Sequence, residues 1–227
     1  MLKKPLKIRF QKDKKQVKVI VMPSSYEMEM ELKTDYAVAY RKLIKQGVAT
    51  KPAMLELMKE EELWGDKEEG KLTNLIVEAG LLEAALEKLI ESNEDTTNKE
   101  RKIVVKLATV RGEIYELVRI KTEPLEYCAE SIARDIQIDS YIALATMNEE
   151  TLRPYFPSKK QFLVARSDVD AEKIYDAVIE ELCKEDVDLI RKLPEHKWMV
   201  DNKLMDKSGN IKDKALLESL EAMSKEE

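Results

Sequence analysis

A mostly α-helical protein, with a small N-terminal β element and a helical bundle containing a long antiparallel helical hairpin, is the fold this sequence predicts. Three observations carry that expectation. Only six glycines and seven prolines interrupt 227 residues, so helix breakers are few. Charged residues reach 37% while aromatics stay at 6%, a Glu-, Lys-, Leu- and Ala-rich balance typical of solvated helices. From Thr34 onward apolar residues recur with a helical period, whereas the stretch before it alternates.

The alternating stretch comes first. Residues 6–10 (LKIRF) and 16–22 (QVKVIVM) read as two strands of a β-hairpin around Lys12-Asp13-Lys14-Lys15. Glu27 to Leu32 (EMEMEL) alternates strictly and is expected to add a third strand. Tyr36, Ala39, Tyr40, Leu43 and Ile44 then form one stripe of a helix that Gly47 ends as the residue after its cap. Thr50 and Pro52 open a second helix, which runs to Trp64-Gly65. Asp66 and Glu69 have the spacing of a capping box for a third.

Leu72, Leu75, Ala79, Leu82, Leu86 and Leu89 follow at 3-4-3-4-3 spacing, a heptad seam. After a polar break at 92–97, Ile103, Leu107, Val110, Ile114 and Leu117 repeat the pattern. Two seams joined by a short polar turn predict a hairpin over 68–122. Ile76, Ile90, Val104 and Val118 widen the stripes, so some other surface must cover part of them. Pro124 ends the second arm. A helix over about 126–147 with a buried Tyr141–Ala145 stretch comes next. It is followed by a rigid Arg153–Pro157 loop, a short helix from Ser158, and an amphipathic helix over 169–192. Asp206 to Asn210 is a turn, and the last fifteen residues read as a frayed helix. The expected division is a β element at 1–33, a helical domain at 34–196 and a C-terminal turn and tail at 197–227.

Composition also excludes chemistry. One histidine, His196, and two cysteines, Cys128 and Cys183, cannot build a Cys/His zinc site. No dinucleotide, P-loop, hydrolase-elbow or zincin motif occurs. The acidic run from Glu60 to Glu69 reads as a solvated face, and Asp206, Asn210 and Asp213 lack the spacing of a calcium loop. No catalytic, cofactor-binding or metal-ligating residue is expected, and the protein is read as not an enzyme. No apolar run approaches 18 residues, which argues against a spanning helix or secretory signal and for a reducing cytoplasm.

Net charge is −6, yet Lys3, Lys4, Lys7, Arg9, Lys12, Lys14, Lys15 and Lys18 stand against Asp13 alone in the first twenty residues. That segment carries +7 and the remainder −13. Three roles remain open for it: edge strands guarded by lysines, docking on an acidic surface of a partner or neighbouring copy, or contact with phosphate. The lack of interleaved aromatics argues against nucleic acid. Candidate interaction residues are therefore Lys12, Lys14 and Lys15, the seam residues Leu82 and Leu86, and the aromatics Trp64, Tyr155, Phe156 and Trp198. Those aromatics sit at helix ends and in Pro-flanked loops, where they serve either as interface anchors or as lids on a core.

Three runs taken in order around the hairpin, Thr50–Ile76, Ala133–Met147 with Arg153–Leu163, and Trp198–Asp213, resemble the tailed-bacteriophage proteins of virion structure and tail assembly. The resemblance spans about two thirds of the chain and includes no catalytic fingerprint. It implies a non-enzymatic role in building a virus particle within the host cytoplasm, with other tail or virion proteins, or copies of itself, as partners. The chain departs from that group in a short tail with one Asp-x-x-Gly turn. The alternative expectation is a cellular helical adaptor or chaperone that holds a partner segment beside the hairpin.

Overall fold

The computed structural model describes residues 1–12, 14–92, 97–206 and 212. Three strands, β1 (Leu6–Lys12), β2 (Lys15–Val21) and β3 (Thr146–Asn148), accompany eight helices among these residues. The helices are α1 (Tyr26–Lys45), α2 (Lys51–Glu60), α3 (Asp66–Glu91), α4 (Thr97–Thr122), α5 (Ala129–Ala145), α6 (Lys159–Val164), α7 (Val169–Arg191) and α8 (Pro194–Asp201). The described residues are 71% helical, which places the fold in the mostly-α class. No described helix is long and apolar enough to cross a membrane. Two compact units form, and they divide the chain differently from the sequence boundaries. One comprises Met1–Met54 with Leu125–Glu185, the other Leu55–Pro124 with Asp186–Glu227.

In the first unit, β1 and β2 pair antiparallel in the register Leu6↔Val21 to Lys12↔Lys15. Ile8, Phe10, Val19 and Val21 turn inward, packing with Leu32, Tyr141, Ile142, Phe162 and Ile174. The expected third strand at 27–32 is the first turns of α1. Glu and Met favour helix, the Ser25 hydroxyl accepts from the Met28 N–H at 3.2 Å, and helical spacing brings Leu32 to 1% exposure while leaving Met30 outside. The third strand is β3 instead, three residues at the end of α5, paired with β2 through Val21↔Thr146. Replacing Ser25 with Ala removes that cap and is expected to cost about 1 kcal/mol, read as a lower urea midpoint with an unchanged slope. Gly47 ends α1 as expected, with φ at +83°. There the Val48 N–H reaches back to the Leu43 carbonyl at 3.1 Å.

Two phenols are sealed into this unit. The Tyr141 hydroxyl donates to the Met22 carbonyl at 2.9 Å, and that of Tyr155 donates to Asp170 at 3.0 Å. Burial pushes Tyr141 up to about 12. Burial, then the Asp170 carboxylate, does the same to Tyr155, also to about 12. An exposed tyrosine titrates near pH ~10. The folded chain therefore holds both protons more tightly than the unfolded chain does. Their contribution to stability is whole below about pH 10 and is lost as pH rises toward about 12. We expect the urea midpoint to fall across that window, and to fall less in Tyr141→Phe. An equal fall in that variant would show that Tyr141 does not contribute.

The second unit is the predicted hairpin with α8 against it. Its arms are antiparallel: Lys71 pairs with Glu113 at 3.7 Å and Glu78 with Lys106 at 2.6 Å, so numbers rise on one arm as they fall on the other. The predicted capping box is displaced by one residue. Gly65 is the N-cap, and its N–H donates to Glu68 at 2.9 Å. Glu69 accepts from Trp64 Nε1 at 2.9 Å and also pairs with Lys121.

Candidate functional site

The hairpin is the feature most able to act on another molecule, and its seam is built in two layers. Leu75, Ala79, Leu107 and Val110 form one, with Leu82, Ile114 and Leu117 at its margin. Nearer the turn, Leu86 and Val104 pack with Trp198 and Met199 of α8, and Leu204 and Met205 close the layer. The Lys212 N–H then bonds the Leu204 carbonyl at 2.7 Å. Part of the widened stripe is thus covered from within the unit. The expected turn at 206–210 falls mostly, and the frayed helix wholly, outside the described residues.

Beside this layer, Arg111 of α4 reaches both Glu83 of α3 and Glu195 in the first turn of α8. Glu195 is 4% exposed. Its Oε1 takes the guanidinium, while Oε2 has no hydrogen-bond partner among the described residues. Trp198 Nε1 donates to Glu100 at 2.6 Å. A cavity of about 1040 Å³ opens here, with Glu83, Glu87, Ile90, Arg111, Lys197 and Trp198 in its wall. No group of three or more His, Cys, Asp or Glu residues is placed to hold a metal ion among the described residues. The cavity lining mixes apolar side chains such as Ile90, Leu193 and Trp198 with charge of both signs.

The far face of α3 differs. Ile76, Val77, Gly80, Leu81 and Ala84 fall on one side of the helix, away from the seam, and all are exposed. Ile76, Val77 and Leu81 are 54%, 57% and 67% exposed. On α4, Tyr115 and Val118 are exposed too.

Nothing matches this chain among protein-family models, curated proteins or solved structures. The site is therefore read from its own geometry.

Of the aromatic candidates, Trp64, Phe156 and Trp198 are buried and Tyr155 is half-buried. Trp64 is buried with Lys121 over its ring. Phe156 stacks edge-on between Tyr155 and Phe162, and Trp198 closes the turn-end layer. The polar tips of Trp64, Trp198 and Tyr155 are bonded inside their own units. Leu86 is wholly buried in the seam and Leu82 half-buried. The basic arm is partly neutralised at home. Lys12 pairs with Asp170, Lys7 and Arg9 share Glu149, and Lys18 meets Glu150 at 3.2 Å. Lys7, then the neighbouring cations, holds the Glu149 carboxyl below its usual range. Lys14 and Lys15 lie exposed at the hairpin turn.

Sequence reading missed the Arg111–Glu83–Glu195 network and the Val77–Leu81 face. The first joins residues 84 positions apart and leaves no local signal. The second was visible in principle, because Ile76-Val77 and Leu81-Leu82 place apolar side chains on two faces of one helix.

Proposed function

We propose that this chain is a non-enzymatic assembly protein, a tailed-bacteriophage virion structural or tail-assembly component. In this reading it works through helix-mediated contacts with neighbouring copies or other virion subunits. The observation that carries it is the exposed apolar face of α3. Three large aliphatic side chains on one helix face beside Gly80 and Ala84 leave a surface that water covers poorly and another helix could approach closely. The phage setting rests on the sequence resemblance alone. Replacing Val77 and Leu81 with Glu tests the contact, because both are exposed and fold stability should be unaffected. Tagged wild-type protein drawn from its native source should retain tail, neck or capsid proteins in near-stoichiometric amounts, and the variant should lose them by about a hundredfold. Equal retention by the variant would sink the α3 face as the contact.

The cavity beside the seam favours a second reading, a cellular adaptor or chaperone that holds one partner segment in that groove. Stoichiometry separates the two. An adaptor saturates at a small fixed ratio with a single cellular partner, whereas an assembly component forms rings, tubes or particle-bound complexes.

A further inference from the structure

The sheet has the order β1-β2-β3, which leaves β1 as an outer strand. In an antiparallel ladder every second residue of such a strand turns its N–H and C=O away from its neighbour, a template for one more strand. β1 is seven residues long, and Lys7, Arg9, Gln11 and Lys12 along it are exposed. Its charge has one sign. Lys7 and Arg9 are 61% and 60% exposed, and both pair with Glu149. Lys3 and Lys4 precede the strand, and Lys14 and Lys15 follow it.

We infer that the β1 edge accepts an extended acidic segment of a partner protein as an added strand of the sheet. This edge and the α3 face belong to different units, and the inference does not rest on the assembly reading. Two β1 edges from neighbouring copies would set cation against cation, and like charges directly opposite one another destabilise a ladder. The lysines therefore reject the edge's own kind. A strand with acids at alternate positions meets the opposite outcome, because Lys7, Arg9 and Gln11 share one face of the pleat. The same charges that guard the edge thus select what joins it. A nucleic acid would meet the charge but has no peptide ladder to complete.

The test uses the full chain and four probes. One is a blocked heptapeptide alternating Glu and Val, and the second has Lys in place of Glu. The third is the Glu peptide N-methylated at alternate amides, in both phases, and the fourth is a single-stranded oligonucleotide. Binding is read by titration, and pairing by amide hydrogen exchange over residues 6–12. The Glu peptide should slow exchange there and lose about tenfold in affinity from low to high salt. Its form methylated on the outward-facing amides should match it, while the form methylated on the β1-facing amides, the Lys peptide and the oligonucleotide leave exchange unchanged. Lys7→Glu with Arg9→Glu should transfer the protection to the Lys peptide. Because the first comparison uses the wild-type chain, a poorly folded variant does not decide the matter. No protection by the Glu peptide, or equal binding by both N-methylated forms, overturns the inference. The same protection by the oligonucleotide does so too, marking a polyanion surface instead.

Discussion

Replacing Leu82 and Leu86 together with Ser is expected to lower the unfolding free energy by about 4 kcal/mol. Most of that comes from Leu86, which is fully buried at the layer where α3, α4 and α8 meet. Removing a buried leucine costs the transfer of its methyl groups and leaves a cavity that two rigid helices can only partly close. Leu82, half-buried at the margin of the other layer, adds a smaller share. The serine hydroxyl at 86 would also need a partner that an apolar layer does not supply. Urea unfolding followed by circular dichroism reads the effect. A double variant within about 1 kcal/mol of wild type would mean that the hairpin is held by something other than its seam.

Arg111→Met should be nearly as damaging, by about 3 kcal/mol, although it removes a cation rather than a core side chain. Glu195 lies at 4% exposure with Arg111 as its ion-pair partner. Taking the guanidinium away leaves a carboxylate buried without compensation, which costs far more than an exposed pair is worth. The network is not expected to be a large net source of stability, since burying its charges already offsets much of their attraction. Arg111→Met with Glu195→Leu should therefore recover most of the loss. If the single variant costs under about 1 kcal/mol, or the second substitution recovers nothing, the pair is behaving as a surface contact.

How much of this was legible depended on range. The hairpin was read to within a few residues at either end because a heptad repeat is written in neighbouring positions. Gly47 was placed correctly because a left-handed residue after a helix has one favoured side chain, hydrogen. The EMEMEL run misled because a strict alternation suits a strand face, while the same six residues carry the propensity of a helix. Ser25 and the burial of Leu32 decide for helix, and the second depends on contacts the local sequence cannot supply. The candidate site was less legible than the fold. Trp64, Phe156 and Trp198 read as either lid or anchor in sequence, and their burial depends on three-dimensional partners of their rings and Nε1 groups.

The sequence by itself determined the helical class, the positions of α3, α4 and α7, the β1–β2 hairpin and the concentration of positive charge on it. These follow from periodicity, propensity and turn chemistry, all of which act over a few residues. Only the tertiary structure decided that Thr146–Asn148 completes the sheet, that Arg111 binds two helices at once, and that one face of α3 stays bare while α8 covers the end of the seam. Each of those joins residues far apart in the chain. Their free energy comes from burial and charge pairing that exist only once the chain has folded.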